Sequence, residues 1–192
     1  MDSELQKKGQ AMIRGKSVIL RTVIPEEVDY LYRLITDINK KGPYWHLQIP
    51  PLNKFRDEYR ESGFWSREEG RMLILSLEGE HVGEILYFKG LDYQSGYEVG
   101  YELFDLAFSG KGYMTEALRL FCAYMFAVWP INRLQVNVMS DNIASSRVAE
   151  KCGFTYEGTM RQATFHNGAY HDLKLYSILR DECPPLDSLL AE

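Results

Sequence analysis

The stretch Phe108-Ser-Gly-Lys-Gly-Tyr-Met-Thr-Glu-Ala117 constrains this chain more than any other. An alternating segment, 97–104, precedes it. A long apolar periodicity follows, with Met114, Ala117, Leu118, Phe121, Met125 and Val128 recurring at i+3/i+4. A strand therefore runs into a short glycine loop, which opens a helix over 112–128 that Pro130 closes. The first amides of such a helix point outward unpaired and carry partial positive charge. Gly110 and Gly112 let the backbone approach a bulky anion, and a pyrophosphate suits that geometry. Lys111, Arg147 and Lys151 would add positive charge. Two phosphate motifs are excluded. Lys111 is followed by Gly112 and not by Ser or Thr, so this is no P-loop. A GxGxxG pattern begun at Gly110 needs a glycine where Thr115 stands.

The rest of the chain reads as alternating layers. Residues 17–23 are apolar and β-branched, as a strand should be. Pro25 starts a helix with Glu26 and Glu27 in its first turn and Val28, Leu31, Leu34, Ile35 and Ile38 at helical spacing. Residues 41–52 hold three prolines and a glycine and read as a loop, before a polar helix over 52–62. Strands are expected over 72–77 and 82–88, joined by a tight turn at 78–80, and after a polar turn over 91–96 comes the strand 97–104. In that strand Tyr97, Val99, Tyr101 and Leu103 face one way, while Glu98, Gly100, Glu102 and Phe104 face the other. A strand over 134–139 leads to a short helix over 142–152, capped by Ser140 or Asp141 and ended at Gly153. Strands over 154–160 and 170–179 close the chain, with the hairpin signal Asn167-Gly168 between them. The order β-α-α-β-β-β-α-β-α-β-β is that of a mixed α/β layer fold.

Composition narrows the function. At 192 residues the chain is long enough for one domain with a real core. A net charge of −5 argues against nucleic-acid binding, where a basic domain is expected, and is compatible with a cationic substrate. The longest apolar run, 120–129, is ten residues, against the about 20 that a membrane span requires. The opening MDSELQKKGQ has no apolar signal region, and Met12 offers an alternative start. Cys122, Cys152 and Cys183 show neither metal-ligand spacing nor a disulfide pattern, so no metal is expected and the chain reads as cytoplasmic.

With the glycine loop goes a second block: Asn142, Ser145, Glu150, Lys151, Gly153 and Phe154, in the pattern Asn-x-x-Ser…Glu-Lys-x-Gly-Phe. Together the two blocks resemble the GNAT superfamily of N-acetyltransferases, whose acyl-CoA loop reads (Gln/Arg)-x-x-Gly-x-(Gly/Ala). Gly112 matches; Ser109 stands in place of Gln or Arg, and Met114 in place of a small residue. The tail, with Glu157-Gly158, Arg161, Asn167-Gly168-Ala169-Tyr170, Asp172 and Tyr176, looks most like the branch of ribosomal-protein Nα-acetyltransferases. The resemblance covers about 16–180. It implies an α/β fold with a mixed, mostly antiparallel central sheet flanked by helices and splayed between the fourth and fifth strands. It also implies one N-acetyltransferase domain over 17–180, with a lead-in over 1–16 and a tail over 181–192.

The implied activity is acetyl transfer from acetyl-CoA to a primary amine, above all the α-amino group of a protein or peptide. The alternatives are a small-amine acetyltransferase, acting on a polyamine, amino acid or antibiotic, and a catalytically weak acyl-CoA-binding protein. The cofactor would lie along Phe104, Asp105 and Leu106, where pantetheine pairs like an added strand, and on Ser109, Gly110, Lys111, Gly112, Tyr113, Met114 and Thr115. Glu98 or Glu102, on one face of the bordering strand, would serve as base. Many relatives place a tyrosine acid where this chain has Ala149, and the ribosomal branch looks to use Ser145 instead. Asn142 would orient the pantetheine or cap its helix. Relatives can carry a glutamate base after the Gln-Ala pair, but Gln162-Ala163 is followed here by Thr164. Aromatics at 44–46 and 55–65 sit where acceptor pockets form. His46, His81, His166 and His171 have no acid/base partner in the sequence and read as structural. Relatives often pair, which allows a homodimer.

Overall fold

The computed structural model describes residues 12–40, 42–90 and 96–190. Eight strands form one sheet: β1 (Met12–Arg14), β2 (Val18–Thr22), β3 (Glu69–Ser76), β4 (His81–Lys89), β5 (Gly96–Leu103), β6 (Arg133–Met139), β7 (Thr155–His166) and β8 (Ala169–Leu179), in the order β1-β2-β3-β4-β5-β6-β8-β7. Every neighbouring pair is antiparallel except β5 with β6. The four longer helices are α1 (Val28–Thr36), α2 (Leu52–Ser62), α3 (Tyr113–Val128) and α4 (Ile143–Lys151). None of the described helices is long and apolar enough to cross a membrane.

Two cores clamp the sheet. On one face α3 packs against Val18, Leu20, Met72, Ile74, Ile85, Tyr87, Val99, Leu134, Val136 and Ile178, which come from both halves of the sheet. A helix bridging strands on both sides of a junction must be apolar around most of its circumference, and α3 buries Met114, Ala117, Leu118, Leu120, Phe121, Cys122, Ala123, Met125 and Phe126. On the other face a smaller core forms under α1 and α2 from Val28, Leu31, Phe55, Phe64, Leu73, Leu75 and Phe104. Among the described residues it draws on β1 to β3 and on Phe104 just past β5, and on no residue of β6, β7 or β8.

The faces of β5 follow the alternation read from sequence. Tyr97, Val99, Tyr101 and Leu103 join the first core, and Phe104 the second. The hairpin at Asn167-Gly168 is also present, with φ of 47° and 83°, both central residues left-handed as that tight turn requires.

Several expectations are corrected. Residues 12–14, read as lead-in, form an edge strand paired with Ile19–Arg21. Three residues are too short for an alternation signal, and β1 is fixed by its partner. In the segment read as a tail, Cys183, Leu186 and Leu189 pack against the first core. The helix begun at Pro25 is a 3₁₀ turn, Pro25–Glu27, before α1, and Ile38 lies beyond α1's end, 46% exposed. α4 is capped by Asn142, whose Oδ1 accepts from the Ser145 amide at 3.0 Å, and not by Ser140 or Asp141. β7 runs on past 160 through register shifts, with Gln162 at φ 51°. The turn expected over 91–96 falls, at 91–95, outside the described residues.

Candidate active site

β5 and β6 pair over only three positions, Gly96 with Arg133, Tyr97 with Leu134 and Glu98 with Gln135. A Cβ at Gly96 would run into the Arg133 carbonyl, so glycine permits the close approach with which this junction begins. Beyond it, β5 keeps its register with β4 through Leu103, and β6 keeps its register with β8 through Met139. Two half-sheets, each twisting with its own partners, diverge. The splay is therefore between the fourth and fifth strands named from sequence, which are β5 and β6 once β1 is counted.

Phe104 N–H donates to the Val82 carbonyl at 3.0 Å, towards β4. By the alternation of an antiparallel pair, the main-chain groups of Tyr101 and Leu103 point the other way, into the gap. The platform expected at Phe104, Asp105 and Leu106 is partly engaged within the fold. Phe104 is buried with its N–H engaged. Asp105 caps a 3₁₀ turn, Leu106–Phe108, through its Oδ1 to Ala107 N at 2.8 Å. The carbonyls of Asp105 and Leu106 already accept from Phe108 and Ser109.

The glycine loop has the expected form. Gly110 and Gly112 adopt φ of 75° and 85°, values a side chain disfavours, and a Cβ on either would meet nothing within 4 Å. Gly112 is the N-cap of α3, with no side chain satisfying the first amides. Those amides, of Tyr113, Met114 and Thr115, open onto that space. The Met114 side chain is buried, so only its main chain is available to a ligand. Lys111 lies back over the Phe108 ring, Nζ 5.4 Å from the centroid. Arg147 and Lys151 are exposed on α4, and Arg119 donates to the Lys151 carbonyl, tying α3 to α4. Glu116, in the first turn of α3, would repel an anion. Its carboxylate instead accepts from the main-chain amides of Lys16 and Ser17 and from the Ser17 hydroxyl.

On the sheet face opposite α3, Glu98 stands at the last paired position before the gap. Its Oε2 accepts from Asn137 Nδ2 at 2.8 Å and from Gln135 Nε2 at 3.4 Å. Two β6 amides thus hold a β5 carboxylate across the junction, while Asn137 Oδ1 is buried with no partner. Glu102 lies further along the same face, directly opposite Glu84 of β4. Glu84, which the sequence reading missed, is 3% exposed and takes Arg71 Nη1 at 2.9 Å. The face that adjoins the gap thus carries Glu98, Glu102 and the Arg71-paired Glu84.

On the α3 side, Ser145 sits in the first turn of α4, its Oγ 2.9 Å from the Tyr101 hydroxyl. The loop after α1 crosses the far end of the site. Tyr32 holds the Pro50 carbonyl at 2.9 Å, Tyr44 holds that of Asp141 at 3.1 Å, and His166 Nε2 donates to that of Pro43 at 2.8 Å. Behind it Arg161, Gln162 and Asp172 line a cavity of about 470 Å³, with the Gln162 amide donating to Asp172 Oδ1. His166 is structural, as read. His81, expected to lack a partner, meets Glu27 Oε1 at 3.1 Å.

Residues 17–155 match the family described as acetyltransferase (GNAT) domain. The chain belongs to that family, and its enzymes transfer an acyl group from acetyl-CoA. Among similar proteins are a putative ribosomal N-acetyltransferase, YdaF of Bacillus subtilis, 29% identical over 88% of this chain and 94% of that protein, and the ribosomal-protein-serine acetyltransferase of Escherichia coli, 28% identical over 87% and 95%. The probable N-acetyltransferase YjcK of Bacillus subtilis is 42% identical, over 44% of this chain and 46% of that protein. The fold matches that of the ribosomal-protein acetyltransferase RimL in complex with coenzyme A (TM-score 0.72, 23% identity, 88% of this chain and 98% of that one). It also matches a Vibrio cholerae spermidine N-acetyltransferase solved with CoA and spermine (0.71, 19%, 86% and 96%).

Proposed function

We propose that this protein acetylates the α-amino group of a protein or peptide by direct attack of the amine on the acetyl-CoA thioester. The observation that carries this reading is the placement of Glu98. A carboxylate fixed by Asn137 and Gln135 at the mouth of the splay lies on the sheet face opposite α3, where an amine can enter. The two nearly full-length relatives named for ribosomal substrates support a protein acceptor over a small one.

In this mechanism the pyrophosphate of acetyl-CoA lies on the amides opened by Gly112, and the pantetheine pairs with the main chain of Tyr101 and Leu103. Glu98 takes the proton of the incoming ammonium, directly or through one water, so that the neutral amine attacks. Ser145, on the opposite side of the gap, donates a hydrogen bond to the sulfur as the carbon–sulfur bond breaks. Asn142 holds the first turn of α4, and with it Ser145, through its cap.

The test is thiol release from acetyl-CoA with an acceptor panel: peptides with N-terminal Ser or Ala, spermidine, free amino acids and an aminoglycoside. Turnover on the peptides supports the reading. Turnover confined to one small amine overturns it and assigns the Glu98 face to a small cation.

A further inference from the structure

We propose that Tyr101 is a positioning residue for the leaving-group step, aiming the Ser145 hydroxyl into the gap. This rests on the role given to Ser145 above. A serine in the first turn of a helix ordinarily turns its hydroxyl back onto a nearby carbonyl, where its one hydrogen is lost to catalysis. Here the Tyr101 hydroxyl stands 2.9 Å from Ser145 Oγ and 3.3 Å from the Ser145 carbonyl. In the shorter contact either hydroxyl can donate, and the arrangement proposed is the one in which Tyr101 donates to Oγ. A serine oxygen that accepts from Tyr101 sends its own hydrogen elsewhere, and the gap beside β5 is where the thiolate forms.

The two residues are 44 positions apart, on β5 and α4. Tyr101 also lends its main chain to the gap, so its ring is registered to the site by the strand that borders it. The ring packs in the first core, and burial pushes the phenol well above its ordinary range, although Ser145, which could donate to a tyrosinate, opposes the rise. The phenol therefore keeps its proton and remains a donor throughout the working pH range. For the same reason it does not pass that proton on, since the tyrosinate left behind would be a buried charge. No proton leaves the Tyr101–Ser145 pair. The pair offers the developing thiolate one oriented hydrogen bond, and the thiolate takes its proton from solvent.

The experiment is a double-mutant cycle of Tyr101→Phe and Ser145→Ala. It is read as kcat and KM for acetyl-CoA with a peptide bearing an N-terminal serine, and separately as the slower hydrolysis of acetyl-CoA without acceptor. The second readout reports leaving-group stabilisation whichever amine the enzyme uses. Tyr101→Phe removes one oxygen and keeps the ring. It is expected to lower kcat roughly 10–150-fold, the worth of one hydrogen bond to a charged centre, with KM within twofold and the melting temperature within a few degrees. In the Ser145→Ala background it is expected to change kcat less than twofold, because its target is gone. Independent, multiplicative losses overturn the proposal, as does an unchanged or raised kcat in Tyr101→Phe while Ser145→Ala is impaired. Wild-type kcat in Ser145→Ala instead overturns the role of Ser145 itself, and the proposal with it.

Discussion

Replacing Gly112 by alanine separates what the glycine loop does for the fold from what it does for the cofactor. At φ 85° an L-residue costs about 1–2 kcal/mol. A Cβ there meets nothing within 4 Å, so no clash adds to that cost. For a chain of this size 1 kcal/mol moves the melting temperature by about 2–4 °C, so the apoenzyme should lose about 2–8 °C. Gly168 provides a matched control. Its φ is 83° and its Cβ is equally unobstructed, but it sits in the β7–β8 turn. Gly168→Ala should cost the same in the apoenzyme. The two variants should part when acetyl-CoA is added. At about 100 times its dissociation constant a ligand stabilises by about 2.7 kcal/mol. A loop that relaxes out of the left-handed region swings an α3 amide off the pyrophosphate. Losing one charge-assisted hydrogen bond weakens binding at least about tenfold, leaving about 1.4 kcal/mol at the same concentration. Differential scanning fluorimetry across an acetyl-CoA titration measures both quantities. Equal ligand-induced shifts in Gly112→Ala, Gly168→Ala and wild type would refute the assignment of the pyrophosphate to this loop.

Glu98→Gln retains a carbonyl oxygen for Asn137 Nδ2 and should fold normally, while turnover falls roughly 10–1000-fold; wild-type turnover removes Glu98 from the mechanism. Glu27 should govern acid stability. Burial opposes its ionisation, but hydrogen bonds from His81 and Arg21, and their charge, hold the carboxyl at about 2, against 4.5 ordinarily. A depressed carboxyl stabilises the fold above about pH 4.5 and loses that contribution as pH falls towards 2. At 1.36 kcal/mol per pH unit this amounts to roughly 3 kcal/mol. In urea melts Glu27→Gln should be less stable than wild type at neutral pH, with the difference closing between about pH 5 and pH 2. A difference constant across that range contradicts the assignment.

What was legible in the sequence was what periodicity and turn chemistry encode. α2 and α3, the β7–β8 hairpin and the two faces of β5 all follow from local pattern, and so does the glycine loop. What escaped was set by partners distant in sequence. Tyr101 reads as one more core aromatic until α4 brings Ser145 to it. His81 reads as solitary until the turn at Pro25–Glu27 delivers Glu27, 54 residues away. Arg180, on which the pattern says nothing, donates to the carbonyls of Phe126, Trp129 and Ile131 and closes the C-terminal end of α3. The main-chain groups left open beside β5 are those of Tyr101 and Leu103, while Phe104 N–H and the Asp105 and Leu106 carbonyls named from sequence are already engaged. Side-chain alternation does not reveal which main-chain groups a neighbouring strand has already taken.

The Glu116 contact to Lys16 and Ser17 ties the point where the chain enters the sheet to the turn that receives the cofactor. Two events that share one carboxylate cannot be independent, and linkage makes the coupling reciprocal. A bound acetyl-CoA that steadies the first turn of α3 also shields the β1–β2 turn from proteases. Conversely, a recombinant form begun at Ser17, or one with a bulky fusion before Met12, alters cofactor affinity without touching a residue of the glycine loop. An enzyme assayed from two expression vectors would then show two Michaelis constants for acetyl-CoA, and the difference would belong to the edge strand.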